Sequence, residues 1–266
     1  MSTIQVVGAQ AYLAGLNAVH ESDECLTHLA QVHHPAYGAR IYYLKHYLED
    51  RGPTKGLVNE AIGFTLAAGA GLFVPGNPLI ITVPAQRVAE MHRAFARRLA
   101  RNTDVLLWGT ERVAGHELPQ SLEQATDILR RWKGLPHLIA FDTWVQIPDR
   151  SATNLLRQPG ERIVLIDHGH LAGSVNWTAD LLQPDTDPRH PFLGLWGGGI
   201  PDAINQGIMH AAQRHAERFR EAESELKHWT NALLDDSRDR IAILDFLEKR
   251  AAGSEDRMRK ILGLLV

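Results

Sequence analysis

Asp149, Asn154 and Asp167 are the residues of this 266-residue chain whose types and spacing could do chemistry together. Asp149 and Asn154 stand five positions apart just after Pro148. Asp167 follows thirteen positions later, at the end of an apolar run and two residues before Gly169. Nucleotide-dependent phosphoryl transfer needs such a set. One acid orients the attacking hydroxyl, while an amide and a second acid hold Mg²⁺ against the ATP phosphates.

The flanking sequence supplies elements that would position them. Residues 138–145 are apolar, with aromatics on either side of Asp142, and predict the end of a buried helix over residues 135–145. Pro148 cannot continue that helix, so the chain turns and carries Asp149 and Asn154 on one loop. A strand begins at Asn154-Leu155-Leu156, residues 158–161 turn it, and residues 162–166 return as a short buried strand. Asp167 emerges at the end of this hairpin, near Asn154, with Gly169 freeing the backbone. Asp142 reads as a buried structural hydrogen-bonding group rather than a third reactive acid.

The combination resembles the catalytic core of HipA-like kinases, an atypical bacterial branch of the protein-kinase-like fold. Those kinases carry a D-R-x-x-x-N-L-L loop followed by L-I-D-H-G. It is also similar to phosphatidylinositol kinases, whose second motif reads I-D-F-G-H. The matching positions are Asp149, Arg150, Asn154, Leu155, Asp167 and Gly169, and the resemblance spans residues 36–175. It implies that Asp149 is the catalytic-loop acid, Asn154 a metal ligand and Asp167 the principal metal ligand. ATP and Mg²⁺ are the implied cofactors. The implied fold is α+β and two-lobed, with a small β-rich N-terminal lobe over residues 1–112 and a larger helical C-terminal lobe over residues 113–266.

Residues 40–47, RIYYLKHY, are rich in β-formers and predict a strand with Tyr43 and Lys45 on one face and Leu44 on the other. Gly56 to Glu60 then open an apolar helix that ends near Gly69 or Gly71. A strand lysine followed by a helix glutamate is the ion pair that positions ATP phosphates in kinases, and the resemblance assigns those roles to Lys45 and Glu60. Glu60 alone could equally serve a helix N-terminus. Lys55 is a rival lysine, expected on an exposed loop after Gly52-Pro53-Thr54.

Composition limits the alternatives. The chain is 44% hydrophobic and 22% charged, enough for a substantial core in two lobes. Its net charge of −3 does not favour nucleic-acid binding. Cys25 is the only cysteine, which excludes an intrachain disulfide and fits a cytoplasmic setting. The first residues lack a basic segment followed by an apolar core, and no apolar run approaches the roughly 20 residues of a membrane span.

Elsewhere the pattern is plainer. Residues 4–7 and 79–83 predict strands, and residues 84–101 a helix with Arg93, Arg97, Arg98 and Arg101 on a solvated face. Residues 104–108 predict a strand, followed by a flexible connector at 109–115 where the lobes would meet. A helix is expected over 122–132, loops over 174–200, one long helix over 203–234, and shorter helices over 238–250 and 255–264. Either Gly8-Ala9-Gln10 or residues 22–35 would cover the nucleotide.

A HipA-like serine/threonine kinase is thus the leading expectation. Its phosphoacceptor, protein or small molecule, and any regulatory partner are not encoded. A small-molecule or lipid kinase would use the same residues. A pseudokinase that binds nucleotide as a regulatory module is the alternative from another class, favoured by the lack of a glycine-rich loop. His168 and His170 beside Asp167 raise a metallohydrolase, but no H-E-x-x-H or H-x-H-x-D-H cluster accompanies them.

Overall fold

The computed structural model describes residues 4–49, 54–99, 103–160 and 162–264. Gly52, Pro53, Arg101 and Glu161, each part of an expectation above, lie outside the described residues. The chain divides into two compact units, Met1–Leu57 with Pro75–Ala114, and Val58–Val74 with Gly115–Val266. The architecture is α+β, with a mixed six-stranded sheet in the first unit and mainly helices in the second.

The chain enters through β1 (Gln5–Val7), β2 (Tyr12–Glu21), β3 (Cys25–His34) and β4 (Gly38–Tyr47), then runs into α1 (Gly56–Gly69). It returns as β5 (Leu79–Pro84), α2 (Ala85–Met91), α3 (Ala96–Leu99) and β6 (Asp104–Glu111). The strand order is β1-β5-β6-β4-β3-β2, with β1 parallel to β5 and the other neighbours antiparallel. Alternation along β4 sends Tyr42 and Leu44 into a core shared with Leu79, Ile81 and Leu107, leaving Tyr43 and Lys45 on the opposite face. Strand β6 continues through Gly109 to Glu111, where a flexible connector was expected. Residues 25–34, one candidate nucleotide cover, form strand β3 instead. Only residues 22–24 turn between β2 and β3.

The helix expected over residues 84–101 is broken. α2 stops at Met91, a 3-10 turn spans Arg93–Phe95, and α3 follows. The break is at His92 (φ −122°, ψ 65°). Its buried ring lies with Nδ1 2.9 Å from a Glu21 carboxylate oxygen and Nε2 3.3 Å from Nδ1 of His28. His28 Nε2 in turn lies 3.2 Å from the Tyr12 hydroxyl. Both ring nitrogens thus meet polar partners in the interior at the residue where the helix breaks. Lys55 also departs from expectation. It is buried, immediately before the start of α1, where Gly56 packs against the Tyr47 ring too closely for a Cβ.

The second unit holds most of α1, β7 (His116–Glu117), α4 (Leu122–Arg131), α5 (Leu135–Val145), β8 (Leu155–Arg157) and β9 (Ile163–Leu165). It closes with α6 (Asp202–Gln213), α7 (His215–Leu233), α8 (Ser237–Ala252) and α9 (Ser254–Ile261). β7, β8 and β9 form a three-stranded antiparallel sheet. α5 is the central element: every residue except His137 is buried, which matches its nearly unbroken apolar sequence. The helix expected over residues 203–234 divides at Arg214 (φ −93°, ψ −9°) into α6 and α7. Beside the break, buried His215 stacks on Trp144 at 4.5 Å and bonds the Ser254 hydroxyl at 2.7 Å. Among the described residues no helix is long and apolar enough to cross a membrane.

The polar chain inside the first unit carries a pH dependence. Burial pushes His28 from 6.5 down to about 3, and the neighbouring His92 and His46 add to the shift. In the unfolded chain His28 takes a proton near its ordinary value, whereas the folded form resists it. Stability is therefore lost as pH falls below about 6.5 and keeps falling toward about 3. Urea midpoints measured from pH 7.5 to 4.5 are expected to drop steeply in the wild type and less steeply in His28→Gln. Equal slopes would show that His28 does not carry the effect.

Candidate functional site

The site is assembled from the C-terminus of α5 outward. Gln146 ends that helix in the left-handed conformation (φ 54°), before Pro148. The last carbonyls of α5 would be orphaned in the core. Arg250 of α8 meets them, donating from Nε to Trp144 O at 2.7 Å and from Nη2 to Thr143 O.

Asp142, one turn earlier, faces the loop and is fully buried. Arg150 grips it with a planar fork, Nε to Oδ2 at 3.0 Å and Nη2 to Oδ1 at 2.9 Å. His190 adds a third bond, Nε2 to Oδ2 at 3.0 Å. The Phe192 amide donates to Nδ1 of His190, so the proton sits on Nε2 and points at Asp142. Burial alone would push the Asp142 carboxyl up. The Arg150 charge and the hydrogen bonds from His190 and Arg150 outweigh it and hold the group below the ordinary carboxylate range.

The remaining amine of Arg150 crosses to the hairpin. Nη1 donates to the carbonyls of Ile166 at 2.8 Å and Asp167 at 2.9 Å. One side chain thereby joins α5, the loop and the end of β9. Asp167 itself is held at φ 65°, a left-handed conformation that non-glycine residues rarely adopt and that surrounding contacts must impose. This places its exposed side chain beside Asn154, whose Nδ2 is 3.5 Å from Asp167 Oδ2. The pairing of Leu155 with Leu165 brings the two together, and the Ile166 amide donates to Asn154 O. Asn154 closes a 3-10 turn in which its Oδ1 accepts from the amide and hydroxyl of Ser151, both at 3.0 Å. Asp149 is exposed on the same loop, with Oδ2 2.8 Å from Nδ1 of His170.

α1 braces the segment after Asp167. Glu60 Oε2 accepts from the His168 amide at 3.0 Å. Asn59 Nδ2 donates to the carbonyls of Gly169, Leu171 and Ser174, and its Oδ1 accepts from Trp177 Nε1 at 2.9 Å. Gly63 lies so close to His168 that a Cβ would sit 2.3 Å from the histidine Cβ.

Asp149, Asn154, Asp167 and Glu60 thus all belong to the second unit, and Arg150 and α1 tie the segments that carry them. Lys45 is on β4 of the first unit, where its ammonium lies 5.5 Å from the Tyr47 ring centroid. Sequence reading gave no role to Asn59, His190 or the Arg150 fork, and left His170 as a packing or substrate-side group. Asn59 had a signal, being an amide beside Glu60 in a helix that is otherwise almost wholly apolar. His190 had none, since its partner Asp142 is 48 positions away.

One carboxylate and one amide oxygen suit Mg²⁺, a hard ion that takes a few protein ligands and completes its shell with water and phosphate. Asp167 fits that part. Asn154 fits once its amide turns to bring Oδ1 toward Asp167, which releases the two bonds from Ser151. Among the described residues no group of three or more His, Cys, Asp or Glu could hold a metal. The sequence matches no protein-family model and no curated protein.

Breaking the buried pair by Arg150→Met is expected to destabilise the protein by about 3–5 kcal/mol, because it strips the guanidinium from the buried Asp142 carboxylate. The double variant Asp142→Asn/Arg150→Met removes the uncompensated charge and should recover part of that loss. Chemical denaturation of both variants checks it. A loss under about 1 kcal/mol in Arg150→Met would mean that the pair does not hold the site together.

Proposed function

We propose that this chain is an ATP- and Mg²⁺-dependent phosphotransferase with an alcohol acceptor, a serine/threonine protein kinase of the HipA-like kind. The observation that carries the reading is the meeting of Asn154 and Asp167 across the β8–β9 hairpin, with Asp167 held at a left-handed φ. Strain of this kind gathers at sites where a side chain must be presented in one direction.

In this reading Asp149 accepts the hydrogen bond of the acceptor hydroxyl and aims it, with His170 fixing the carboxylate through Nδ1. Asp167 and the turned Asn154 hold the metal, which supplies charge neutralisation at the transferring phosphoryl group. Lys45 contacts phosphate and Glu60 positions Lys45. Glu60 also accepts from the His168 amide, directly after Asp167. Catalysis is then mostly positioning and electrostatics. A regulatory partner protein and a protein acceptor fit this class.

A second reading is a nucleotide-binding regulatory module without turnover. It is favoured by the turn at residues 22–24, Ser-Asp-Glu, which offers no glycine for close approach of backbone to phosphate.

Thermal shift with Mg²⁺ and ATP, together with transfer of labelled γ-phosphate to the protein itself or to a protein mixture, separates these. Wild type is expected to be stabilised and to transfer label. Asp167→Asn should lose the Mg²⁺-dependent stabilisation. Asp149→Ala should keep it but transfer about 10²-fold more slowly or worse. Stabilisation without transfer selects the regulatory module. Full transfer by both variants would overturn the site.

A further inference from the structure

The hairpin that presents Asn154 and Asp167 has a second end. β8 and β9 are three residues each, and Arg157 pairs with Ile163 at the end opposite to Leu155 and Leu165. At roughly 3.3 Å per residue, the two end pairs are about 7 Å apart. Beyond the far end, within the second unit, lies a cavity of about 800 Å³. It is bounded by the residues following α1, the end of α4, the start of α5, the hairpin turn and the α6–α7 junction. Arg131, Lys133, Arg157, Arg162, Arg214 and Arg218 line it, and none of its described lining residues is acidic.

Composition does not account for this. The chain as a whole carries more acidic than basic residues, at net charge −3. The six cations come from four separate segments, so neither does a local run. On the helix surface Arg214 pairs with Glu217 at 3.8 Å and Arg218 with Glu221 at 2.6 Å. Such exposed i,i+3 pairs are weak, about 0–1 kcal/mol, and yield to a multiply charged anion. Arg162 stacks on the Phe73 ring at 4.6 Å, which presents its guanidinium as a flat, preorganised fork. Trp132 and Ile128 add apolar wall. His137 also lines the cavity, and burial, with help from His210 and Arg214, lowers its proton affinity.

A volume in the small-molecule range, arginine forks from several directions and an aromatic flank make one chemistry fit best. We propose that this cavity binds a small organic molecule bearing two or more phosphoryl groups and a flat ring, at a site separate from Asp149, Asn154 and Asp167. The arginines take the phosphoryl oxygens, and Trp132 takes the ring. The site does not depend on the phosphotransfer reading.

Calorimetric titration of the full chain tests it, in EDTA so that no metal-dependent nucleotide site contributes. The probes are adenosine 3′,5′-bisphosphate, inorganic pyrophosphate and a doubly phosphorylated peptide. Wild type and Asp167→Asn are expected to bind the bisphosphate equally, and more weakly as NaCl rises. Arg162→Gln/Arg214→Gln should bind at least tenfold more weakly while keeping the wild-type melting temperature. Trp132→Ala should weaken the bisphosphate several-fold and leave pyrophosphate unchanged. The proposal is overturned if wild type does not bind the bisphosphate, if the double arginine variant binds as well as wild type, or if Asp167→Asn abolishes binding. Preference for the phosphopeptide over both small probes would also sink it, by making the cavity a protein-docking surface.

Discussion

The pairing of Asp142 with Arg150 is the constraint on which the rest of the site depends. Both side chains are fully removed from solvent. Taking two such charges out of water costs several kcal/mol each, and only close geometry with every remaining polar group satisfied returns it. Here that condition is met in detail. The guanidinium uses two nitrogens on the carboxylate and the third on two carbonyls, and His190 supplies the carboxylate with its third donor. A lysine could not do this, because a single ammonium offers no rigid fork that reaches a carboxylate on one side and a strand end on the other. The consequence is mechanical. The carbonyl of Asp167 is fixed by Arg150, and a residue whose carbonyl is pinned on one side can be kept at φ 65° while its side chain faces outward.

How much of this was legible follows from the range of each interaction. The helix over residues 135–145, the loop after Pro148 and the hairpin were readable because each is written in consecutive residues: an apolar run, a proline, two short apolar stretches around a Pro-Gly turn. Asp142 was readable as structural, since an acid among aromatics must find a partner, though the fork from Arg150 was not. What could not be read were conformations decided by distant groups. Nothing in residues 84–101 foretells a break at His92, whose ring partners, Glu21 and His28, stand 71 and 64 positions away. The division at Arg214 lies beside a histidine that Trp144 and Ser254 hold in the core. β2 was missed for another reason. Beyond Tyr12 its residues are exposed or half-exposed, so no alternation of buried and solvated positions marks the sequence as strand.

The same reasoning explains the composition of α1, which looks wasteful for a helix. A glycine in a helix interior costs roughly 1 kcal/mol against alanine, and a buried asparagine must find partners for all its polar atoms. Asn59, Glu60 and Gly63 stand at i, i+1 and i+4, so they share the side of the helix that meets residues 168–174. Gly63 allows that segment to approach closer than any side chain would permit. The approach in turn puts the His168 amide on Glu60 and three carbonyls on Asn59, with the Trp177 indole completing the asparagine. The glycine is therefore the condition for the two polar residues beside it. A larger residue at position 63 would move the chain after Asp167 away from both of them, and would loosen from behind the conformation that Arg150 fixes from the front.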